Sequence, residues 1–95
     1  MTDRHVGTDQ LAAELRGWLT DRIAAYVGRT AASIEESVPL VDYGVDSVFA
    51  LILCGDLEDE LRLSVGPTLV GDHPTVAALV RHLTPLLALV SDGEC

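Results

Sequence analysis

Residues Pro39 to Leu51 read PLVDYGVDSVFAL. A proline and a glycine interrupt the chain, two acids flank the glycine, and one serine opens a long apolar run. Asp46 is a good helix N-cap, because its carboxylate can accept a bond from a backbone N–H left free in the first turn. The pattern therefore predicts a helix from Ser47 to about Leu61, with Ala50, Leu51, Cys54, Leu57 and Leu61 on its inner face. Phe49 and Ile52, three apart, share the edge or the outer face. Gly55 sits inside this helix at a cost of roughly 1 kcal/mol against Ala.

Upstream, Leu11, Leu15, Trp18, Leu19, Ile23 and Val27 recur at three- and four-residue steps, which predicts a helix over about Asp9 to Val27. Thr8 or Asp9 can cap its start and Gly28 can end it. Between these helices, GRTAASIEESVPLVDYGVD (28–46) keeps no period. A loop this long in a compact domain is usually functional or disordered. Ile34, Val38, Leu40 and Tyr43 are placed to pin it to the core.

Downstream, RLSVGPTLVGDHPT (62–75) is a second loop, broken at Gly66-Pro67 and His73-Pro74. A short helical turn is expected near Thr68 to Gly71. Thr75 caps a last helix with Val76, Leu79, Val80 and Leu83 as its stripe. Pro85 lacks the N–H that a helix needs and is expected to end or kink it near Thr84. No segment alternates at period two. The fold class is all-α: a small four-helix bundle, three main helices plus one short one, with a long loop between the first two. One domain is expected over 1–95, its core at about 9–84 and its ends flexible.

The chain has 95 residues and a net charge of −9, from 6 basic and 15 acidic residues. Phosphate backbones reward Lys and Arg, so nucleic acid is excluded as a partner. Partners with basic surfaces are favoured, unless the acidity serves solubility alone. Cys54 and Cys95, the two cysteines, have no metal spacing and suggest no disulfide. Cys54, on the expected inner face, should be buried and unreactive, and Cys95 reactive. The polar start MTDRHVGTDQ gives no sign of a signal peptide, and VFALILCG is far too short to span a bilayer. A cytoplasmic protein without membrane contact is the default expectation. The Met start and short ends suit a stand-alone protein, although an excised domain would read the same way.

Catalysis by Ser47 is disfavoured. GVDS is not the G-x-S-x-G elbow of hydrolases, three helices offer little cleft, and His73 and His82 have no sequence link to the serine. Opening a helix is the plain role for such a serine.

The surrounding residues add a resemblance. PLVDYGVDSVFAL resembles the phosphopantetheine attachment motif of acyl carrier proteins, and GPTLVGDHPTVAALVRHL (66–83) is similar to the matching region of polyketide-synthase carriers. The resemblance as a whole covers roughly Leu11 to Leu83. The resemblance implies that Ser47 takes 4′-phosphopantetheine from coenzyme A through a separate phosphopantetheinyl transferase. The chain then carries acyl groups as thioesters and is not itself an enzyme. Asp46 is carried over as the acid of the motif, and Gly44 as the residue that lets the loop turn. The implied partners are the transferase, a ketosynthase and an acyl-loading enzyme, either an acyltransferase or an acyl-AMP ligase. A monomer is expected. LCGDLED (53–59) further resembles discrete carriers that work with fatty-acyl-AMP ligases or iterative polyketide synthases.

Peptidyl carriers usually show Gly-Gly-x-Ser, whereas Asp46 precedes the serine here. An unmodified helical interaction module is the other alternative. Acyl carriers commonly place acids early on this helix. Here Val48, Phe49 and Ile52 stand beside the serine, and Asp56, Asp59 and Glu60 follow. These six are the expected docking residues, the apolar ones anchoring and the acidic ones steering.

Overall fold

The computed structural model describes residues 7–93. Every described element is helical: α1 (Gly7–Val27), α2 (Ser47–Leu61), the short α3 (Leu69–Asp72) and α4 (Val76–Gly93), with 3-10 turns at Ala31–Ser33 and Leu40–Tyr43.

Local chemistry sets most of the boundaries. α1 starts at Gly7, so Thr8 and Asp9 lie inside its first turn and do not cap it. Asp9 there still complements the positive end of the helix dipole. Gly28, with φ 76°, takes the left-handed conformation that ends the helix. The next N–H, of Arg29, returns to the carbonyl of Ala24 at 2.9 Å, which is the Schellman closure. Thr75 Oγ1 accepts the N–H of Ala78 at 3.0 Å and caps α4.

The 28–46 connection is held from several sides. Leu40 N–H donates to the Pro74 carbonyl at 2.8 Å, and Ala77 N–H donates to the Glu36 carbonyl at 2.9 Å. Tyr43 Oη accepts the N–H of Glu35 at 2.7 Å, and the Arg29 guanidinium lies over the Tyr43 ring. Ile34 and Leu40 are buried, and Tyr43 packs against the core. Val38 is only partly covered. The loop is thereby tied to the start of α4, close to where α2 begins.

The core joins Leu15, Leu19 and Ile23 of α1 to Phe49, Leu53 and Leu57 of α2 and Val76, Leu79 and Leu83 of α4. This corrects the expected rotation of α2. Phe49 is 2% exposed and Leu51 is 62% exposed, the reverse of what the sequence predicts. Ala50, Cys54 and Leu61 flank the buried stripe instead of forming it. The run Val48 to Cys54 is apolar without a break, so periodicity offers no preferred face there. The aromatic ring decides the rotation, because Phe49 meets the Tyr26 ring at a centroid distance of 4.8 Å, and a large ring gains most from burial.

Cys54 is half-buried rather than buried. Its thiol donates to the Gly66 carbonyl at 3.2 Å, and burial, then the nearby Glu58 carboxylate, push its pKa up. Cys95 lies outside the described residues.

Pro85 does not end α4 but stands inside it. Losing one helical N–H is costly, but Leu86, Leu87 and Val90 pack against the core beyond it. That burial carries the helix on. The helices reach past the expected core limits of 9 and 84, to residues 7 and 93; residues 1–6, 94 and 95 lie outside the described residues.

Candidate functional site

The site is the junction between the 3-10 turn at Leu40–Tyr43 and α2. Gly44 closes the turn with φ 97°, a conformation that strains any residue with a Cβ. Its N–H returns to the carbonyls of Leu40 and Val41. Val45 turns inward and is buried. Asp46 is then extended, at φ −125° and ψ −173°, and Ser47 is the first helical residue.

Asp46 does what the sequence expects of a cap. Its Oδ1 accepts the N–H of Phe49 at 3.0 Å. A second bond is not legible in the sequence: the Tyr26 hydroxyl of α1 donates to the same oxygen at 2.9 Å. The Phe49 N–H first, and then the Tyr26 hydroxyl, hold the Asp46 carboxyl below its ordinary value.

This shift has a stability consequence. A carboxyl whose pKa is lowered on folding contributes stability above its unfolded value, near 3.8. That contribution is lost as the pH falls through the lower folded value. Asn caps about as well as Asp without titrating. The melting temperature of the wild type relative to Asp46→Asn is therefore expected to fall on acidification through the carboxylate range. A difference that stays constant with pH would remove the charged cap.

Ser47 is exposed. Among the described residues its hydroxyl has no hydrogen-bond partner. His73 and His82 stack on each other, ring centroids 4.1 Å apart, and neither bonds the serine, so among the described residues no histidine forms a triad with it. The hydroxyl stands at the positive end of α2, where unpaired N–H groups favour a phosphate group. A groove of about 590 Å³ adjoins it. Its walls include Val41, Val45 and Ala50 on one side and Pro67, Val70 and Gly71 on the other.

The expected docking residues divide. Val48 and Ile52 are 56% and 46% exposed, and Leu51 joins them. These three fall at i, i+3 and i+4 and form one face one turn past Ser47. Phe49 does not belong to it. Sequence reasoning misses Leu51 because it places that residue on the inner face; once Phe49 is known to point inward, the helical period returns Leu51 to the surface.

The acids also change roles. Arg22 Nη1 donates to Asp56 Oδ2 at 2.9 Å and Nη2 donates to Glu60 Oε1 at 2.6 Å. The same guanidinium lies 4.3 Å from the Trp18 ring centroid. Asp56 and Glu60 therefore brace α1 against α2, and only Asp59 of the three is exposed with no ion pair among the described residues.

Comparisons with known proteins agree with this geometry. A family model described as "Phosphopantetheine attachment site" matches residues 17–83. The chain is 37% identical over 71 residues to a phenolphthiocerol/phthiocerol polyketide synthase of Mycobacterium tuberculosis, covering 75% of this chain and 4% of that protein. It is 38% identical over 71 residues to 6-methylsalicylic acid synthase of Penicillium expansum, covering 70% and 4%. The chain thus spans about 4% of the length of these curated relatives. Among solved structures, an acyl carrier protein from Actinoplanes friuliensis is 44% identical with a TM-score of 0.66, covering 92% of this chain and 94% of that one. A free-standing peptidyl carrier protein from Acinetobacter baumannii is 33% identical with a TM-score of 0.75, covering 80% and 95%.

Proposed function

The chain belongs to the phosphopantetheine-attachment carrier family, and from that premise we propose that Ser47 bears the 4′-phosphopantetheine arm. The family makes the chain a carrier rather than a catalyst. Its sequence relatives are carrier regions of polyketide synthases. One observation carries the assignment to Ser47. It is an exposed serine whose hydroxyl has no hydrogen-bond partner among the described residues, at the first turn of a capped helix, inside the matched segment 17–83.

The residues around Ser47 fit the group. The N-terminus of α2 suits its phosphate. The adjoining groove, lined on both sides by apolar side chains, leaves room beside the serine. When bound, the arm supplies a terminal thiol that holds an acyl group as a thioester. The chain's own part is positional. Gly44 turns the backbone, Asp46 fixes the start of α2, and the core holds that helix so that the serine faces outward. No base is needed on the chain, because the transfer from coenzyme A is the work of a separate transferase.

The test is intact mass. Incubation with coenzyme A and a broad-specificity phosphopantetheinyl transferase is expected to add one arm per chain, located on the peptide that contains Ser47. No gain under conditions that convert a control carrier leaves the unmodified interaction module as the reading.

A polyketide or fatty-acyl pathway is supported over peptide synthesis by Asp46 before the serine and by the polyketide-synthase relatives. The partners are then a ketosynthase and an acyl-loading enzyme, an acyltransferase or acyl-AMP ligase. They dock on the face formed by Val48, Leu51 and Ile52. Burying one large apolar side chain contributes roughly 1.5–3 kcal/mol, whereas one exposed ion pair contributes about 0–1 kcal/mol. Leu51→Ala is therefore expected to slow loading by the partner about tenfold or more, and Asp59→Asn only slightly. Both variants should melt like the wild type, since neither side chain is buried. Loading rates measured at low and high salt decide the matter. If Leu51→Ala loads normally while salt abolishes loading, recognition is electrostatic and the apolar face is not the contact.

A further inference from the structure

Two side chains of α1, one turn apart, make the hydrogen bonds that join it to α2 and its cap. Arg22 grips the middle and end of α2 through Asp56 and Glu60. Tyr26 reaches the start, where its hydroxyl donates to Oδ1 of Asp46 at 2.9 Å. The Tyr26 ring lies 4.8 Å from the Phe49 ring, tilted by 50°, and Phe49 is buried. Packing of the ring on Phe49 narrows the range of the Tyr26 hydroxyl, although the residue is 39% exposed.

The two hydrogen bonds to the Asp46 carboxylate end on the same oxygen, one from Phe49 N–H and one from Tyr26, and the N–H groups of Asp46 itself and of Val48 add weaker attraction. Among the described residues no hydrogen bond ends on Oδ2, and Asp46 is exposed beside Ser47. The cap needs the Phe49 N–H alone. What the Tyr26 bond adds is orientation, because a carboxylate held through a single bond can rotate and one held through two cannot do so freely. The ionisation states match this role. The Asp46 carboxyl is held low and stays charged, while its bond to Asp46 pushes the Tyr26 hydroxyl above its ordinary value, so that it stays a donor.

We propose that Tyr26 is a positioning residue for the modification of Ser47: it clamps Oδ1 of Asp46 and so presets Oδ2 to accept a hydrogen bond from the transferase as that enzyme docks at the start of α2. The proposal rests on the assignment of Ser47 as the modified residue. A tyrosine that only stapled two helices would act through stability, and its effect would not depend on the carboxylate at 46.

Four proteins separate these roles: wild type, Tyr26→Phe, Asp46→Asn and the double variant. Each is incubated with coenzyme A and a broad-specificity phosphopantetheinyl transferase, and kcat and KM are taken from intact-mass time courses. Tyr26→Phe keeps the ring packing and is expected to lose about three- to tenfold in kcat/KM, the scale of one hydrogen bond, with the loss in KM. The double variant should be no slower than Asp46→Asn, since two residues acting through one contact do not add. A Tyr26→Phe rate equal to wild type overturns the proposal, and so does a double variant that loses both factors in full. An NMR titration of Asp46 needs no transferase: Tyr26→Phe should raise its pKa, and an unchanged value overturns the contact itself. If the wild type gains no mass where a control carrier does, the assignment of Ser47 fails and this proposal with it. A wild type that is modified beside an equally fast Tyr26→Phe sinks the positioning role alone.

Discussion

Ser47→Ala is expected to abolish the mass gain completely while leaving the fold intact. The serine hydroxyl is exposed and makes no hydrogen bond among the described residues. The cap of α2 belongs to Asp46, whose Oδ1 takes the Phe49 N–H. Alanine is a strong helix former, and surface substitutions of this kind usually stay within about 0.5 kcal/mol. The variant should therefore match the wild type in circular dichroism and in melting temperature. The two measurements must be read together. Lost modification in a folded variant assigns the arm to Ser47. Retained modification means that another residue bears it, and lost modification in an unfolded variant would contradict the exposed position found for the serine.

Phe49→Ala is expected to have the largest effect on stability. The side chain is 2% exposed and lies with Leu53 and Leu57 on the buried stripe of α2. Truncating a buried phenylalanine costs about 3–5 kcal/mol, from lost transfer energy and the cavity left behind. Domains of this size hold a total of roughly 5–15 kcal/mol, so the variant should lose a large share of its stability and melt well below the wild type. Denaturant titration of the wild type, Phe49→Ala and Phe49→Leu reads this directly, with leucine expected to recover part of the loss. A Phe49→Ala protein within about 1 kcal/mol of wild type would place the ring on the surface. Phe49→Ala also warns against a simple reading of slow loading. Such a variant is expected to load poorly because the bundle opens, so the proposed docking face is tested at Leu51, where the side chain is exposed.

The starts and stops of the helices are legible in the sequence because caps are local. Asp46 bonds a backbone N–H three residues on, Thr75 does the same at α4, and Gly28 and Gly44 supply positive φ where their segments end. The serine at the head of α2, and the acid before it, follow from the same short-range chemistry. Three features do not follow. Pro85 carries a local penalty, yet α4 runs through it because Leu86, Leu87 and Val90 find the core. The rotation of α2 is open in the sequence because every residue from Val48 to Cys54 is apolar; the ring of Phe49 chooses the inner face by meeting Tyr26. The roles of the acids are open as well, since Arg22 reaches partners 34 and 38 positions away. The linear chain thus determined the boundaries that local caps set, from the end of α1 to the start of α4, which is a matter of bonds spanning a few residues. Which side of α2 stays exposed, and which of its acids carry no ion pair among the described residues, was decided by side chains that meet only when distant segments pack.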